Sequence, residues 1–238
     1  MSDLPGVLQL TPMNPEFNKD PHALLDRLRG ECPVRRDDMA GLFLLTRHGD
    51  VRGVLSDTSM WRSPERAEEA AVVTRAILGS RPEGLKVDEE EERSGILLMD
   101  EPDHMRIREP FARALYKRVA KSRPKVQQVV NEWLDGIGNA KTFDVMDKFA
   151  LRVPVDVIAR LLGVDNARLV EFREWSEGSI LGLNPFRTPD QTEFYVRSRN
   201  ALSAYMRELM DARRKTPEDD LTTDMVTLQA EGAELTDG

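Results

Sequence analysis

"DEPDHMRIREPFARALYKRV", residues Asp100 to Val119, is the stretch on which the reading of the whole chain turns. Coiled as an α-helix at about 100° per residue, it places His104, Arg108, Phe111 and Leu115 within one sector of about 60°. Arg106, Arg113 and Lys117 fall about 180–220° away from His104, on the opposite face. One stripe therefore mixes two cationic or hydrogen-bonding groups with apolar side chains. Taking a charge out of water costs several kcal/mol unless a partner meets it. The stripe thus predicts an anionic group on its inward side. Pro110 cannot donate to the carbonyl of Arg106, which predicts a kink or a loosened turn there.

Working outward, the flanking segments are mostly helical. Residues 1–20 contain prolines and read as an irregular lead-in. "DPHALLDRLRG" is a short helix with Asp20 as cap and Pro21 in its first turn. "CPVRR" and "LFLLT" flank the turn sequence "DDMAG" and predict an antiparallel hairpin. "RHGDVRGVLSD" is another short helix. Residues 57–95 are polar, contain Pro and Gly, and carry the acidic run Asp88 to Glu92. This is a long connection, functional or disordered, with one helix at most near Glu65 to Leu78.

After Val119, "RPKVQQVVNEWLDGIG" repeats apolar residues with a helical period. "TFDVM" is a candidate short strand, and "VPVDVIARLLG" a helix opening at Pro154 and closed by Gly163. "DNARLVEFREWSEGSILGL" opens with Asp165 as cap. Thr188, Pro189 and Gln191 start the longest helix, about 25 residues, with a capping-box pattern. A second Thr-Pro start falls at Thr216. The fold class is mainly α (α+β): several helices and one small β-hairpin.

Bulk properties exclude several function classes. A net charge of −8 argues against general nucleic-acid affinity. No apolar run is long enough to span a bilayer, and the first residues lack the pattern of a secretory signal. The single cysteine, Cys32, excludes an internal disulfide framework and any multi-cysteine metal site, and fits the cytoplasm. Its three histidines are scattered, so a zinc site is not expected.

The order of these pieces resembles the bacterial cytochromes P450, a class of haem-thiolate monooxygenases. The resemblance is carried by a short helix followed by "CPV", a hairpin ending in "LLTRHGDVRGVLSD", and a variable loop. "LLMDEPDHMRIREPFARAL", "DVIARLLGV" and "EDDLTTDMV" then follow in that order. Its most specific element is Asp/Glu-Pro-x-His-x-x-x-Arg, met by Glu101, Pro102, His104 and Arg108. It covers essentially residues 1–238, read as one portion of the family domain: the N-terminal part, up to the start of the central helix. The resemblance implies haem (iron protoporphyrin IX) as cofactor, with His104 and Arg108 binding its propionates. Charge-assisted bonds from Arg to carboxylates are strong and often bidentate, so the chemistry agrees.

The resemblance further implies insertion of one atom of O2 into an apolar small molecule. Residues 57–95 would form a variable loop over the pocket. Trp61, Ile77, Leu183 and Phe186 are candidate substrate contacts, the last two in the turn "GLNPFRT". The family's oxygen-activation motif and iron-ligating cysteine do not occur in these residues, and Cys32 matches a structural position. Either the remainder lies outside this sequence or the chain is a fragment. The residues from Arg106 to Lys125 hold eight basic side chains against Glu109 alone. They are a solvated face or a docking patch, and a ferredoxin or flavodoxin-type electron donor is the partner the resemblance implies, at Arg106, Arg113 and Lys117. The alternative function is a non-catalytic helical interaction protein derived from the same fold, without haem. An unrelated helical ligand-binding domain is a third reading.

Overall fold

The Asp20 side chain accepts the backbone N–H groups of His22 and Ala23, and Pro21 brings a φ already suited to the first turn. That pair of residues starts helix α2 (Pro21–Glu31), which buries Leu28 completely. The computed structural model describes residues 4–63, 66, 68, 71, 83–86, 96–184 and 187–235. The chain divides into two compact units, Met1–Arg81 and Pro82–Gly238, each described by itself. It is mainly helical, with one small antiparallel sheet.

In the first unit the lead-in is more regular than its prolines predict. It holds a 3-10 turn (Val7–Leu10) and a short helix α1 (Pro15–Lys19) capped by the Asn14 side chain. After α2 the expected hairpin forms from β1 (Val34–Asp37) and β2 (Leu42–Leu45), with Val34 opposite Leu45 and Asp37 opposite Leu42. Asp37 organises the turn. Its Oδ1 accepts the N–H groups of Met39 and Ala40 at 3.1 Å each, and its Oδ2 accepts the Val7 N–H at 2.6 Å. Gly41 supplies the positive φ of 64° that returns the chain into β2. Helix α3 (His48–Ser56) follows. The predicted helix near Glu65 to Leu78 and the acidic run Asp88 to Glu92 lie outside the described residues.

In the second unit a 3-10 turn (Ile96–Leu98) leads into α4 (Asp103–Val119) and α5 (Arg123–Ile137). "TFDVM" is not a strand. The Asp144 Oδ1 accepts the N–H groups of Met146 and Asp147 at 2.8 and 3.0 Å, so the chain is capped into a helical turn. A π-helical stretch (Met146–Ala150) results, running into α6 (Arg152–Leu162). Gly163, at φ 81°, ends α6 as expected. Asp165 caps a 3-10 turn (Asn166–Arg168) that leads into α7 (Leu169–Ile180). A further 3-10 turn (Leu181–Leu183) precedes α8 (Pro189–Lys215), the long helix, whose Thr188–Gln191 capping box is formed. Helix α9 (Leu221–Ala230) starts later than Thr216, because the Asp220 side chain accepts the Thr223 N–H and acts as its cap.

The core of this unit lies where α6, α7 and α8 meet. Ala159, Val164, Phe172, Tyr205 and Leu209 are buried together, and Val155, Leu169, Trp175 and Met206 pack around them. Helices α7 and α8 come very close at Gly178, where any Cβ would collide with the Ser198 side chain. Among the described residues, no helix is long and apolar enough to cross a membrane.

Candidate cofactor-binding helix

Helix α4 runs unbroken from Asp103 to Val119, through Pro110. Its half-buried residues are His104, Ile107, Pro110, Ala112, Ala114, Leu115 and Arg118. Four of them, Ile107, Pro110, Ala114 and Arg118, centre about 85° round the helix from the His104 stripe. The stripe expected to face inward is divided: His104 and Leu115 are half-buried, while Arg108 is exposed and Phe111 is 37% exposed. The packing of the Arg118 side has a physical cause. Arg118 is drawn onto α9 by Asp224 and onto the preceding turn by Asp219, at 2.9 Å each, and Lys125 binds the same Asp219 at 3.1 Å. The Asp224 bond holds Arg118 in its charged form, while Lys125 and then Arg118 hold the Asp219 carboxyl below the usual carboxylate range.

His104 and Arg108 stand one turn apart on the same face. The His104 side chain is 19% exposed, and its Nδ1 meets Glu101 Oε1 at 3.0 Å. The second oxygen of Glu101 accepts the Met105 N–H at 3.2 Å. Glu101 therefore serves both the start of the helix, where a carboxylate is electrostatically favoured, and the orientation of the imidazole. Nε2 is left facing outward from that contact. The other arginines of α4 are engaged: Arg106 with Asp103 at 2.6 Å and Glu234 at 2.9 Å, Arg113 with Glu109, and Arg118 as above. Arg108 has no hydrogen-bond or ion-pair partner among the described residues.

That donor set fits an anionic edge such as a pair of carboxylates. Arg108 offers a planar fork with five N–H groups, and His104 adds a ring nitrogen one turn earlier. Haem propionates are groups of that kind, so these residues fit the cofactor that the resemblance implies.

Arg113 is 79% exposed, and Lys117 is exposed as well. Arg106 is more committed than its position on the wheel predicts, because Glu234 reaches it from the residues after α9. Beyond Lys117 the charged surface continues into a cleft of about 350 Å³, lined by Lys117, Arg118, Lys121, Lys125, Arg160, Asp219 and Asp224. The basic run is partly neutralised there by carboxylates from a distant part of the chain, which no local sequence window contains.

Of the pocket candidates, Trp61 lies in the first unit, 59% exposed, with the Arg66 guanidinium 4.1 Å from its ring centroid. Leu183 lies in the second unit, 63% exposed, at the end of the 3-10 turn. Ile77 and Phe186 lie outside the described residues. The turn before α8 has an organiser that sequence reasoning missed. Arg187 Nη1 donates to the carbonyls of Leu181, Gly182 and Asn184 at 3.0, 3.1 and 2.7 Å, and its guanidinium lies 5.0 Å from the Tyr195 ring centroid. Cys32 is half-buried, with its Sγ 3.4 Å from the Val34 carbonyl.

No family model matches the chain. Curated relatives do. It is 29% identical over 235 residues to cytochrome P450 107B1 of Saccharopolyspora erythraea, an alignment covering 98% of this chain and 55% of that protein. It is 34% identical over 219 residues to nocardicin C N-oxygenase of Nocardia uniformis, covering 87% of this chain and 50% of the relative. Among solved structures, a myxobacterial cytochrome P450 in complex with myristic acid superposes with a TM-score of 0.77 at 24% identity, over 98% of this chain and 56% of that one. The chain spans about half the length of the curated relatives it matches. It belongs to the cytochrome P450 family, whose cofactor is haem.

Proposed function

We propose that this chain is part of a haem-dependent monooxygenase acting on an apolar small molecule. In that reaction one atom of O2 enters the substrate and the other leaves as water, with two electrons from a donor protein and two protons. Bound haem supplies the oxygen-activating redox chemistry. The residues of this chain bind and orient: Arg108 and His104 hold the propionates, and Glu101 sets the imidazole. Residues 57–95 and the turn before α8 flank the pocket mouth, with Trp61, Ile77, Leu183 and Phe186 as contacts. Arg106, Arg113 and Lys117 receive a ferredoxin or flavodoxin-type donor. Residues 1–238 act as one portion of the enzyme, in the cytoplasm.

One observation carries this reading. Three arginines of α4 are paired with carboxylates, and Arg108, on the His104 face, is left among the described residues with its donors unused. The test is haem retention in the haem-loaded protein, followed as transfer to apomyoglobin. Arg108→Ala loses a hydrogen bond to a charged group, about 1.5–3 kcal/mol, so transfer should quicken by roughly 10- to 100-fold. His104→Ala should have a smaller effect, since one ring N–H is lost rather than a fork. Retention equal to wild type in both variants would overturn the assignment.

A further inference from the structure

One side chain ties residues 83–86 to helix α8. The Asn200 carboxamide donates from Nδ2 to the Gly84 carbonyl at 3.0 Å, and its Oδ1 accepts the Lys86 N–H at 3.0 Å. A parallel β-strand pairs in the same way, taking the carbonyl before and the N–H after one residue of its neighbour. Here the residue so clasped is Leu85. Residues 83–86 belong to no helix or strand, so these backbone groups need a partner from elsewhere. Gly84 adopts φ 86°, a conformation that favours glycine, and a Cβ built on it would stand 3.9 Å from Val196 Cγ1. Val196 and Asn200 are one turn apart on α8, so the turn rests on a single step of that helix.

Helix α8 is a firm base for such a clasp. Its buried Ser198, Ser203, Tyr205 and Leu209 anchor it in the second unit. It also begins directly after the turn held by Arg187. Helix α8 therefore meets both the 83–86 turn, through Asn200, and the turn before it, through the Tyr195 ring beside Arg187. Asn200 lies 12 residues beyond the Thr188 cap, about 18 Å along the axis.

We propose that Asn200 is the positioning residue for the 83–86 turn: it holds that turn on α8 and thereby sets which ligands the pocket admits by size. This rests on the reading under Proposed function, in which residues 57–95, this turn among them, flank the pocket mouth. Asn200 touches neither cofactor nor substrate; it acts through the backbone of Gly84 and Lys86.

The test compares wild type, Asn200→Ala and Asn200→Asp in the haem-loaded protein, with two readouts. The first is amide hydrogen exchange at Lys86. The second is the ratio of dissociation constants for imidazole and 4-phenylimidazole, a small and a bulky probe of the same pocket, read from the absorption difference spectrum. Asn200→Ala should speed exchange and weaken 4-phenylimidazole by about 2- to 10-fold, the size of one net hydrogen bond, with imidazole unchanged. Asn200→Asp still accepts the Lys86 N–H but sets a carboxylate against the Gly84 carbonyl, and should fall between. Unchanged exchange would overturn the clasp. Faster exchange with an unchanged probe ratio, or equal weakening of both probes, would overturn the role in selectivity and leave the pocket reading standing. A complete wild-type protein, iron-ligating cysteine included, that takes up no haem would instead remove the reading under Proposed function, and this inference with it.

Discussion

At His104 the ring is held through Nδ1 by Glu101, which leaves Nε2 to meet any other group. Removing that hold should loosen the ring without removing it. Glu101→Ala is expected to speed haem transfer to apomyoglobin by about 2- to 10-fold, as one hydrogen bond's net contribution implies, less than Arg108→Ala. The two effects should not add: in a double-mutant cycle, Glu101→Ala should cost nothing further once His104 is already alanine. Full additivity would mean that Glu101 acts only at the helix start, through the Met105 N–H. The His104–Arg108 spacing was legible in the sequence because helical geometry converts a separation of four into one face. The Glu101 contact was not, because it depends on how the backbone enters α4. That Arg108 has no partner among the described residues was not legible either: Asp219, Asp224 and Glu234, which occupy its neighbours, lie more than 90 residues further along the chain.

Helix starts and the hairpin followed from local chemistry, and the misreadings have local causes too. Asp20 and the Thr188–Gln191 box were legible because a cap bonds N–H groups two or three residues away. "TFDVM" looks like a strand by its β-branched and aromatic residues, yet Asp144 caps it into a helical turn. Thr216 mimics a cap, but the start moves to Asp220, which also pairs with Arg213; both side chains are buried. Arg213 in turn donates to the Gly163 carbonyl at 3.0 Å, joining the ends of α6 and α8 to the start of α9. Asp220→Ala therefore strands a buried guanidinium and should destabilise the protein by about 3–5 kcal/mol, softened by the exposed Glu218 at 3.0 Å. The check is urea unfolding, with a lower midpoint and an unchanged slope; a midpoint equal to wild type would show the pair to be dispensable.

The hairpin carries an acid-sensitive element of the same scale. Burial by itself would raise the Asp37 carboxyl, but N–H groups from Val7, Ala40 and Met39, with the charge of Arg35, outweigh it and leave it below its ordinary value of 3.8. A carboxylate depressed in the folded state contributes stability that is present above the unfolded value and lost as pH falls through the folded one. Wild type should therefore lose more Tm than Asp37→Asn between about pH 5 and pH 3, while the variant is already less stable at pH 7. Parallel falls in Tm would place the acid sensitivity elsewhere.

On the scale of the whole molecule the charge distribution is uneven. The net charge is −8, yet Arg106 to Lys125 carries eight basic residues and one acidic one. Much of that excess is internal to the fold: Arg118 and Lys125 answer Asp219 and Asp224, and Arg106 answers Asp103 and Glu234. What remains open to a partner is Arg113, whose ion pair lies within its own helix, together with the exposed Lys117, Lys121 and Arg123. A pair between exposed side chains one turn apart contributes only about 0.3–0.5 kcal/mol, so an incoming acidic surface can replace Glu109 at Arg113 with little loss. Displacing Asp103 and Glu234 from Arg106 would mean breaking two contacts. If an acidic iron–sulfur donor docks here, Arg113→Glu should slow its association more than Arg106→Gln does. Haem content and substrate affinity should stay as in wild type, because Arg113 lies on the face opposite His104 and Arg108. The deficit should shrink as salt rises, since exposed charges are screened over about 8–10 Å at 0.1–0.15 M ionic strength. The measurement is reduction rate against donor concentration at two ionic strengths for wild type and both variants. Equal rates and equal salt slopes would show that the basic run serves only to hold α4 and α5 against the carboxylates before and within α9, and that the donor docks on another face.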